Sequence, residues 1–377
     1  MNAMTPKERV YAALEHREPD RVPTGEFATD YPMVEAVLGR PSFYRGHFKT
    51  TRALWEGRRD EVVEGMKRDL VEYTLKLGLD MVPVQLVPPR GARPRPFTPI
   101  GPDSWRDEHG NEYRYASGSE WLICVRHADA EREFAAEDFI FREPAPPDPS
   151  ELELVHHVME RLGRTHFIFA RSGDGSIVLP GGMERGLRLL AEQPEVYRAA
   201  VESATLHAIA TDRAFIDAGV DALTPAADYG STRGPLMSPR QVRDILFPAM
   251  RAHVQAAHAR GVKVLKHACG NNWAIMDLLV AAGYDAYQSI QSTAGMDLER
   301  LKREYGARIA LWGGVPTETL MQGTPEETRR AVREAVHVAA PGGGFILGSS
   351  HSIAVGCRHE NYMAMLDELR CGGARAA

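Results

Sequence analysis

A regular alternation of short apolar segments and longer amphipathic ones constrains the fold of this chain more than any other feature. From residue 166 onward, apolar segments of strand length recur, each followed by a segment of helix length. They span residues 166–170, 221–224, 261–266, 285–289, 308–312 and 345–348. Two earlier candidates, 22–27 and 79–84, bring the count to about eight β–α units. Repeated strand–helix alternation predicts a parallel sheet, and eight units predict a closed (β/α)8 TIM barrel.

The remaining segments predict additions to this barrel. Thr5-Pro6 is a helix-start signal and predicts an N-terminal helical extension. Residues 88–143 interrupt the alternation, and the turn chemistry of 105–113 predicts a β-hairpin insertion with which 121–125 could pair. Because this insertion (about 88–143) is too short for a large core of its own, we predict one barrel domain spanning 1–377. A doubly wound open sheet is the alternative, but no G-x-G-x-x-G turn follows an early strand.

Composition excludes several classes of partner. The 377 residues carry a net charge of −6, which gives no reason to expect nucleic acid or an anionic membrane. No apolar run approaches the roughly 18 residues of a membrane span. Residues 1–7 lack an apolar signal core, so a cytoplasmic location is expected. Four cysteines in so long a chain predict free thiols rather than a disulfide framework.

The segment His267-Ala268-Cys269-Gly270 follows a predicted strand directly and is the most informative chemical motif. Alternate residues of an extended chain point the same way, so the imidazole and the thiol can converge. These are ligand types that zinc favours, and a catalytic zinc site needs about three protein ligands. His351, after another apolar strand, predicts the third ligand, and Cys357 is an alternative to it. A packed histidine beside a buried thiol is the competing interpretation of the motif.

Other polar residues lie where predicted strands end, which is where barrels of this type build their active sites. Asp228 and Tyr229 are predicted catalytic residues. Asp228 could act as an acid or base, orient a ligand histidine, or cap a turn. The polar residues predicted to bind substrate are Glu26, Asp30, Gln85, Arg171, Gln288 and Gln291.

Motifs spread over nearly the whole chain resemble those of the uroporphyrinogen decarboxylase-like superfamily. They are 5–9 (TPKER), 19–23 (PDRVP), 228–230 (DYG), 236–239 (LMSP), 267–270 (HACG), 295–297 (GMD), 323–327 (GTPEE) and 360–365 (ENYMAM). The H-x-C pair is similar to that of the zinc-dependent, corrinoid-linked methyltransferases of this superfamily. The resemblance implies a bound Zn²⁺ and a small-molecule substrate. It also implies a corrinoid supplied by a partner protein, since no cobalamin-binding signature is visible in the chain.

Two departures from the superfamily bear on the reaction. The resemblance implies a later cysteine as the third zinc ligand, whereas His351 stands at the corresponding place. Replacing thiolate by neutral imidazole removes a negative charge and makes the metal more Lewis-acidic, so the substrate and reaction are free to differ from thiol methylation. The decarboxylase branch implies an arginine-rich N-terminal segment for a polycarboxylate porphyrinogen. Here residues 24–31 hold Glu26 and Asp30 and no arginine, which would repel carboxylates.

The leading hypothesis is therefore a zinc-dependent methyltransferase that acts with a corrinoid protein on a small methylated substrate or thiol. A zinc-dependent lyase, hydrolase or decarboxylase on the same barrel is the first alternative, with Asp228 as its acid or base. A non-catalytic binding protein is the second alternative. A homodimer is an open alternative for the assembly.

Overall fold

The computed structural model describes residues 3–373, and the ends of the proposed 1–377 domain, residues 1–2 and 374–377, lie outside them. The strands, in chain order, are β1 (Met81–Val84), β2 (Thr98–Gly101), β3 (Ser104–Arg106), β4 (Glu112–Ala116), β5 (Trp121–Arg126), β6 (Phe167–Ser172), β7 (Ala222–Pro225), β8 (Lys263–His267), β9 (Ala286–Gln288), β10 (Ala310–Val315) and β11 (Phe345–Ser349). Within the described residues, seven of them form a parallel sheet in the order β1-β6-β7-β8-β9-β10-β11.

Helices precede and alternate with these parallel strands, and those that follow the strands of the barrel cover its outer face. They are α1 (Pro6–Leu14), α2 (Tyr31–Leu38), α3 (His47–Trp55), α4 (Arg59–Leu77), α5 (Glu153–Leu162), α6 (Met183–Glu192), α7 (Pro194–Asp217), α8 (Pro239–Gln241), α9 (Phe247–His258), α10 (Met276–Ala282), α11 (Leu298–Tyr305), α12 (Thr317–Gln322), α13 (Pro325–Ala339) and α14 (His359–Gly373). A π-helical turn, Val242–Leu246, joins α8 to α9. The predicted α/β barrel is confirmed. None of the helices in residues 3–373 is long and apolar enough to cross a membrane.

The segment around Thr24 closes the ring between β11 and β1. Thr24 pairs with Leu347 of β11 through a single parallel bridge. On its other side, the Thr24 carbonyl accepts the backbone N–H of Asp80, just before β1, at 2.8 Å. The predicted first strand, 22–27, is therefore present only as this short contact.

Hydrogen bonds that involve side chains connect the next two residues, Gly25 and Glu26, to β10 and β11. The indole Nε1 of Trp312 donates to the Gly25 carbonyl at 2.8 Å. The Glu26 carboxylate accepts both the backbone N–H of Ser349 and, at 2.6 Å, its hydroxyl. Backbone pairing resumes at Ala28 and Asp30, which bond Ile353 just beyond β11.

The inside of the barrel is filled by an apolar cluster that α1 closes at one end. Val10, Ala13 and Leu14 of α1 pack in the same cluster as Phe169 and Trp312 from the strands. The helix begins as the sequence predicts, with a Thr5 cap and a proline in its first turn. Because α1 covers the amino ends of the strands, their carboxyl ends form the mouth of the barrel.

The insertion folds as an antiparallel sheet of four strands within the described residues, in the order β2-β3-β4-β5. The predicted hairpin corresponds to β3 and β4, where Trp105 lies opposite Tyr113, and β5 pairs with β4. Phe48 of α3 packs on Trp105 with ring centroids 5.1 Å apart. At the start of β5, Trp121 lies 4.1 Å from the ring of His47. The insertion therefore packs against the first turn of α3.

Candidate metal centre

The carboxyl ends of β8 and β11 bring the three predicted metal ligands together. His267 ends β8, Cys269 follows it by two residues, and His351 lies just beyond β11. One ligand atom from each residue lies within 4.8 Å of the other two. The Sγ of Cys269 is 3.3 Å from Nε2 of His267. The barrel topology thus assembles a thiol and two imidazoles from segments more than eighty residues apart.

Gln288, at the end of β9, orients the His267 ring and binds the backbone of His351. Its Oε1 accepts a hydrogen bond from Nδ1 of His267, and its Nε2 donates to the backbone carbonyl of His351 at 2.9 Å. With the proton on Nδ1, the lone pair of His267 lies on Nε2, which faces Cys269. Phe27 stacks on the same imidazole with ring centroids 4.0 Å apart. His267 therefore has a set ring orientation.

The loop that carries Cys269 is held by close backbone packing. Gly270 has φ +83°, and a Cβ there would lie 2.3 Å from the Gly230 carbonyl oxygen, so the motif requires glycine at this position. The buried Asn272 amide donates to the carbonyls of Ala268 and Cys269, each at 3.1 Å. Sequence reasoning missed Asn272, although it lies only three residues beyond the thiol.

Cys269 is largely buried, with 9% of its surface exposed to solvent. Its thiol is 3.4 Å from the hydroxyl of Ser289, which donates to the Ser350 carbonyl at 2.6 Å. Ser289 adopts φ +90°, an uncommon conformation for a residue with a side chain. Burial, and then the nearby Asp228 charge, raise the pKa of Cys269. No sequence pattern marks Ser289 as part of the site.

The donor set fits a zinc ion. Burial lowers the pKa of both His267 and His351 and so favours the neutral imidazoles that bind metals. Two imidazoles, a thiol and an orienting amide agree with the ligands and supporting hydrogen bonds of zinc sites. Among residues 3–373, the group with metal-ligand spacing contains His351 and not Cys357.

Asp228 lies at the open side of this centre. Its side chain is 60% exposed, and Oδ1 is 3.9 Å from Nε2 of His267. The same oxygen accepts the backbone N–H of Cys269 at 3.1 Å. A carboxylate in this position can act on a molecule bound in the mouth, and it also stabilises the loop of the thiol.

Tyr229 lies on the other side of the sheet from this centre. The residue is fully buried in the apolar layer between strands and helices. Its hydroxyl contacts Ser176 and donates to Asp174 at 3.1 Å, while Lys266 Nζ lies 4.5 Å from its ring centroid. The catalytic role predicted for Tyr229 therefore has no geometric support.

Three of the predicted substrate residues use their polar atoms within the protein. Glu26 is buried against Ser349, and Gln288 bonds both histidines as described above. Gln291 accepts the backbone N–H of Gly270 at 3.0 Å. These contacts indicate that the three side chains support the site.

Asp30, Gln85 and Arg171 form a second polar group in the mouth. Arg171 Nη1 lies 3.5 Å from Gln85 Oε1. Asp30 pairs with Arg45, whose Nε is 2.9 Å from its Oδ1. This pairing corrects the expectation that Glu26 and Asp30 repel carboxylates, because Arg45 neutralises Asp30 and Glu26 is withdrawn into the wall.

Comparisons with known proteins agree with this architecture. The chain matches the uroporphyrinogen decarboxylase (URO-D) family over residues 176–371. Among solved structures, it is similar to a methyltransferase from Methanosarcina mazei with a TM-score of 0.66 and 18% identity, over 98% of this chain and 99% of that one. A candidate vitamin-B12 independent methionine synthase from Listeria monocytogenes gives a TM-score of 0.44 and 11% identity, over 95% and 96% of the two chains. Comparison with curated protein sequences finds no match.

Proposed function

The chain belongs to the uroporphyrinogen decarboxylase family, and from this premise we propose that it is a zinc-dependent methyltransferase acting with a corrinoid protein on a small methylated substrate or thiol. The observation that carries the proposal is the convergence of His267, Cys269 and His351 within 4.8 Å of one another. The name of the Methanosarcina mazei structure supports the reaction class.

The chain's own residues have distinct roles in this proposal. His267, Cys269 and His351 would hold zinc, which when bound supplies a Lewis acid that lowers the pKa of a thiol or water. Gln288 keeps Nε2 of His267 directed toward Cys269. Asp228 would take or return a proton at its carboxylate oxygen, because it is the acid at the exposed edge of the centre.

A zinc-dependent lyase or hydrolase is the second candidate, and the position of Asp228 favours it. Methyl transfer to a metal-activated thiol needs little further proton transfer, whereas lyase and hydrolase reactions need a positioned acid or base. An exposed carboxylate 3.9 Å from a ligand histidine satisfies that need.

Zinc content and turnover test the proposal together. We expect about one zinc per chain in the purified protein. His267→Ala and Cys269→Ser should each lose most of it without unfolding, since a catalytic zinc contributes little to a core of this size. Cys371→Ser, which removes an exposed thiol, is the matched control and should keep its zinc. A wild-type chain that retains full activity in chelator would contradict the proposal.

The turnover assay separates the two candidate reactions. The zinc-loaded chain is incubated with methylcobalamin and 2-mercaptoethanol, and the loss of the methylcobalamin absorbance is followed. A methyltransferase should accelerate this loss in a way that His267→Ala abolishes. If a zinc-loaded chain leaves methylcobalamin unchanged, while a corrinoid-free assay shows bond cleavage that needs Asp228, the lyase or hydrolase is correct.

The third ligand has a test of its own. If His351 holds the metal, His351→Ala should weaken zinc binding far more than Cys357→Ala, and His351→Cys should retain the ion. Loss of a direct ligand exceeds the 10–100-fold weakening typical of supporting residues, so competition with a fluorescent zinc chelator resolves the order. The reverse order would assign the ligand role to Cys357.

A further inference from the structure

Arg171 is a cation at the mouth without an anionic partner. It lies in β6, near the carboxyl end of the strand. Among residues 3–373 it forms no ion pair, its Nε is buried without a hydrogen-bond acceptor, and its contact with Gln85 is long at 3.5 Å. Arg45, the neighbouring arginine, pairs with Asp30 at 2.9 Å. Asp30 therefore neutralises Arg45, whereas no carboxylate within residues 3–373 pairs with Arg171.

The acids of the mouth cannot supply the missing charge. The Asp30 carboxylate already lies 3.1 Å from Nε2 of His47 and accepts the backbone N–H of Val355 at 3.3 Å, besides its pair with Arg45. Glu26 bonds Ser349 inside the wall. A half-buried, unpaired guanidinium is unfavourable, and this cost is offset when a ligand anion binds it.

Phe27 links this cation to the candidate metal centre. Its ring stacks on His267 at 4.0 Å with an interplanar angle of 12°, and the Arg171 guanidinium carbon lies 4.9 Å from the same ring. One aromatic ring therefore separates the arginine from the imidazole. A small molecule held at Arg171 would need to span little more than this ring to reach the three convergent ligands.

We propose that the substrate carries a carboxylate that binds Arg171, with Gln85 beside it, and that its reacting end lies over His267 and Cys269. A guanidinium matches a carboxylate through two parallel hydrogen bonds, which also sets the direction of the bound molecule. The proposal rests on the proposed function in taking the metal centre as the place of the reaction, and it adds the chemical class of the substrate.

Binding of benzoate and benzamide to the full chain tests this proposal. The two probes share a ring and differ in charge. On chelator-treated protein, benzoate should raise the melting temperature and benzamide should not.

Arg171→Met should bind benzoate about 10–100-fold more weakly, the usual loss for a charge-assisted hydrogen bond. Its melting temperature without ligand should equal or exceed that of the wild type, because an unpaired, half-buried charge is removed. Arg330→Met, at an exposed arginine of α13, should respond to benzoate as the wild type does.

Three outcomes would overturn the anion site: no response of the wild type to benzoate, equal responses to both probes, or an unchanged response of Arg171→Met. Because the measurement is made without zinc, its result is independent of methyl transfer. A chain that binds benzoate through Arg171 but never binds zinc would refute the proposed function and leave the anion site. A chain that binds zinc through His267 but shows no charge-dependent response would refute the anion site alone.

Discussion

Asp228 and Tyr229 are adjacent in the sequence but differ completely in solvent exposure. Asp228 is exposed beside the candidate metal centre, whereas Tyr229 is fully buried beneath the sheet. Gln288, predicted to face substrate, instead uses both ends of its amide on the two histidines. Residue type alone identified side chains that matter here, but their contacts decide whether they bind a substrate or hold the site in place.

The role of Asp228 as a proton-transfer group can be tested by removing its charge. Asp228→Asn should keep zinc and fold yet lower turnover by about 10²–10⁴-fold, the range for loss of a positioned proton-transfer group. The amide oxygen can still accept the Cys269 N–H, so the thiol loop is maintained. Zinc content, melting temperature and turnover are measured on one preparation. Normal turnover in this variant would remove Asp228 from the mechanism.

Among the elements, β8 joins the two sides of the sheet. His267 faces the barrel mouth, while Lys266, one residue earlier, is fully buried on the outer face and pairs with Asp174 from the loop after β6. This pair also contacts Tyr229, which lies in the loop after β7. Three successive strand ends are thus joined behind the candidate metal centre by one buried ion pair.

Lys266→Met should destabilise the fold by about 3–5 kcal/mol, because it leaves the Asp174 carboxylate buried without its cation. Lys263→Met is a matched control on the same strand: its pair with Asp285 is 30% exposed on the lysine side and contributes about 0–1 kcal/mol. Urea denaturation compares the variants. The double variant Asp174→Ala/Lys266→Met should cost less than the sum of the single changes. Two results would show that the Lys266–Asp174 pair contributes no more to stability than the exposed pair. One is an equal loss of unfolding free energy in the two lysine variants, and the other is strict additivity of the two single changes in the double variant.

For the whole molecule, closure of the ring depends on a buried acid. Glu26 joins the short first strand to β11 through Ser349, and burial raises its pKa to about 8. The folded chain therefore keeps a proton that the unfolded chain releases near its ordinary pKa of about 4.3. Where the folded state binds more protons, the free energy of unfolding falls as the pH rises.

Glu26→Gln should remove this dependence. Between about pH 5 and pH 8 the wild type should lose stability through this group, while the variant, which cannot ionise, should lose less. Urea denaturation at both ends of this window gives the comparison. Glu299→Gln, at an exposed position on α11, should follow the wild type. Parallel curves for Glu26→Gln and the wild type would mean that Glu26 keeps its charge in the folded chain.

The sequence alone determined the parallel barrel and the approach of His267 to Cys269. Apolar periodicity and turn residues act over a few positions, so strands, helices and the H-x-C pair can be predicted from local pattern. The same reasoning selected His351 as the candidate third ligand, and the structure brings it within 4.8 Å of the other two.

Only the tertiary structure decided how these residues are supported and which charges remain unpaired. Ser289 has an unusual backbone conformation, Tyr229 lies behind the sheet, and Asp30 neutralises Arg45 but not Arg171. Gly25 and Glu26 of the first strand bond Trp312 and Ser349, which lie more than 280 residues away in the sequence. Such contacts depend on which side chains meet when distant strand ends come together, and no local pattern contains that information.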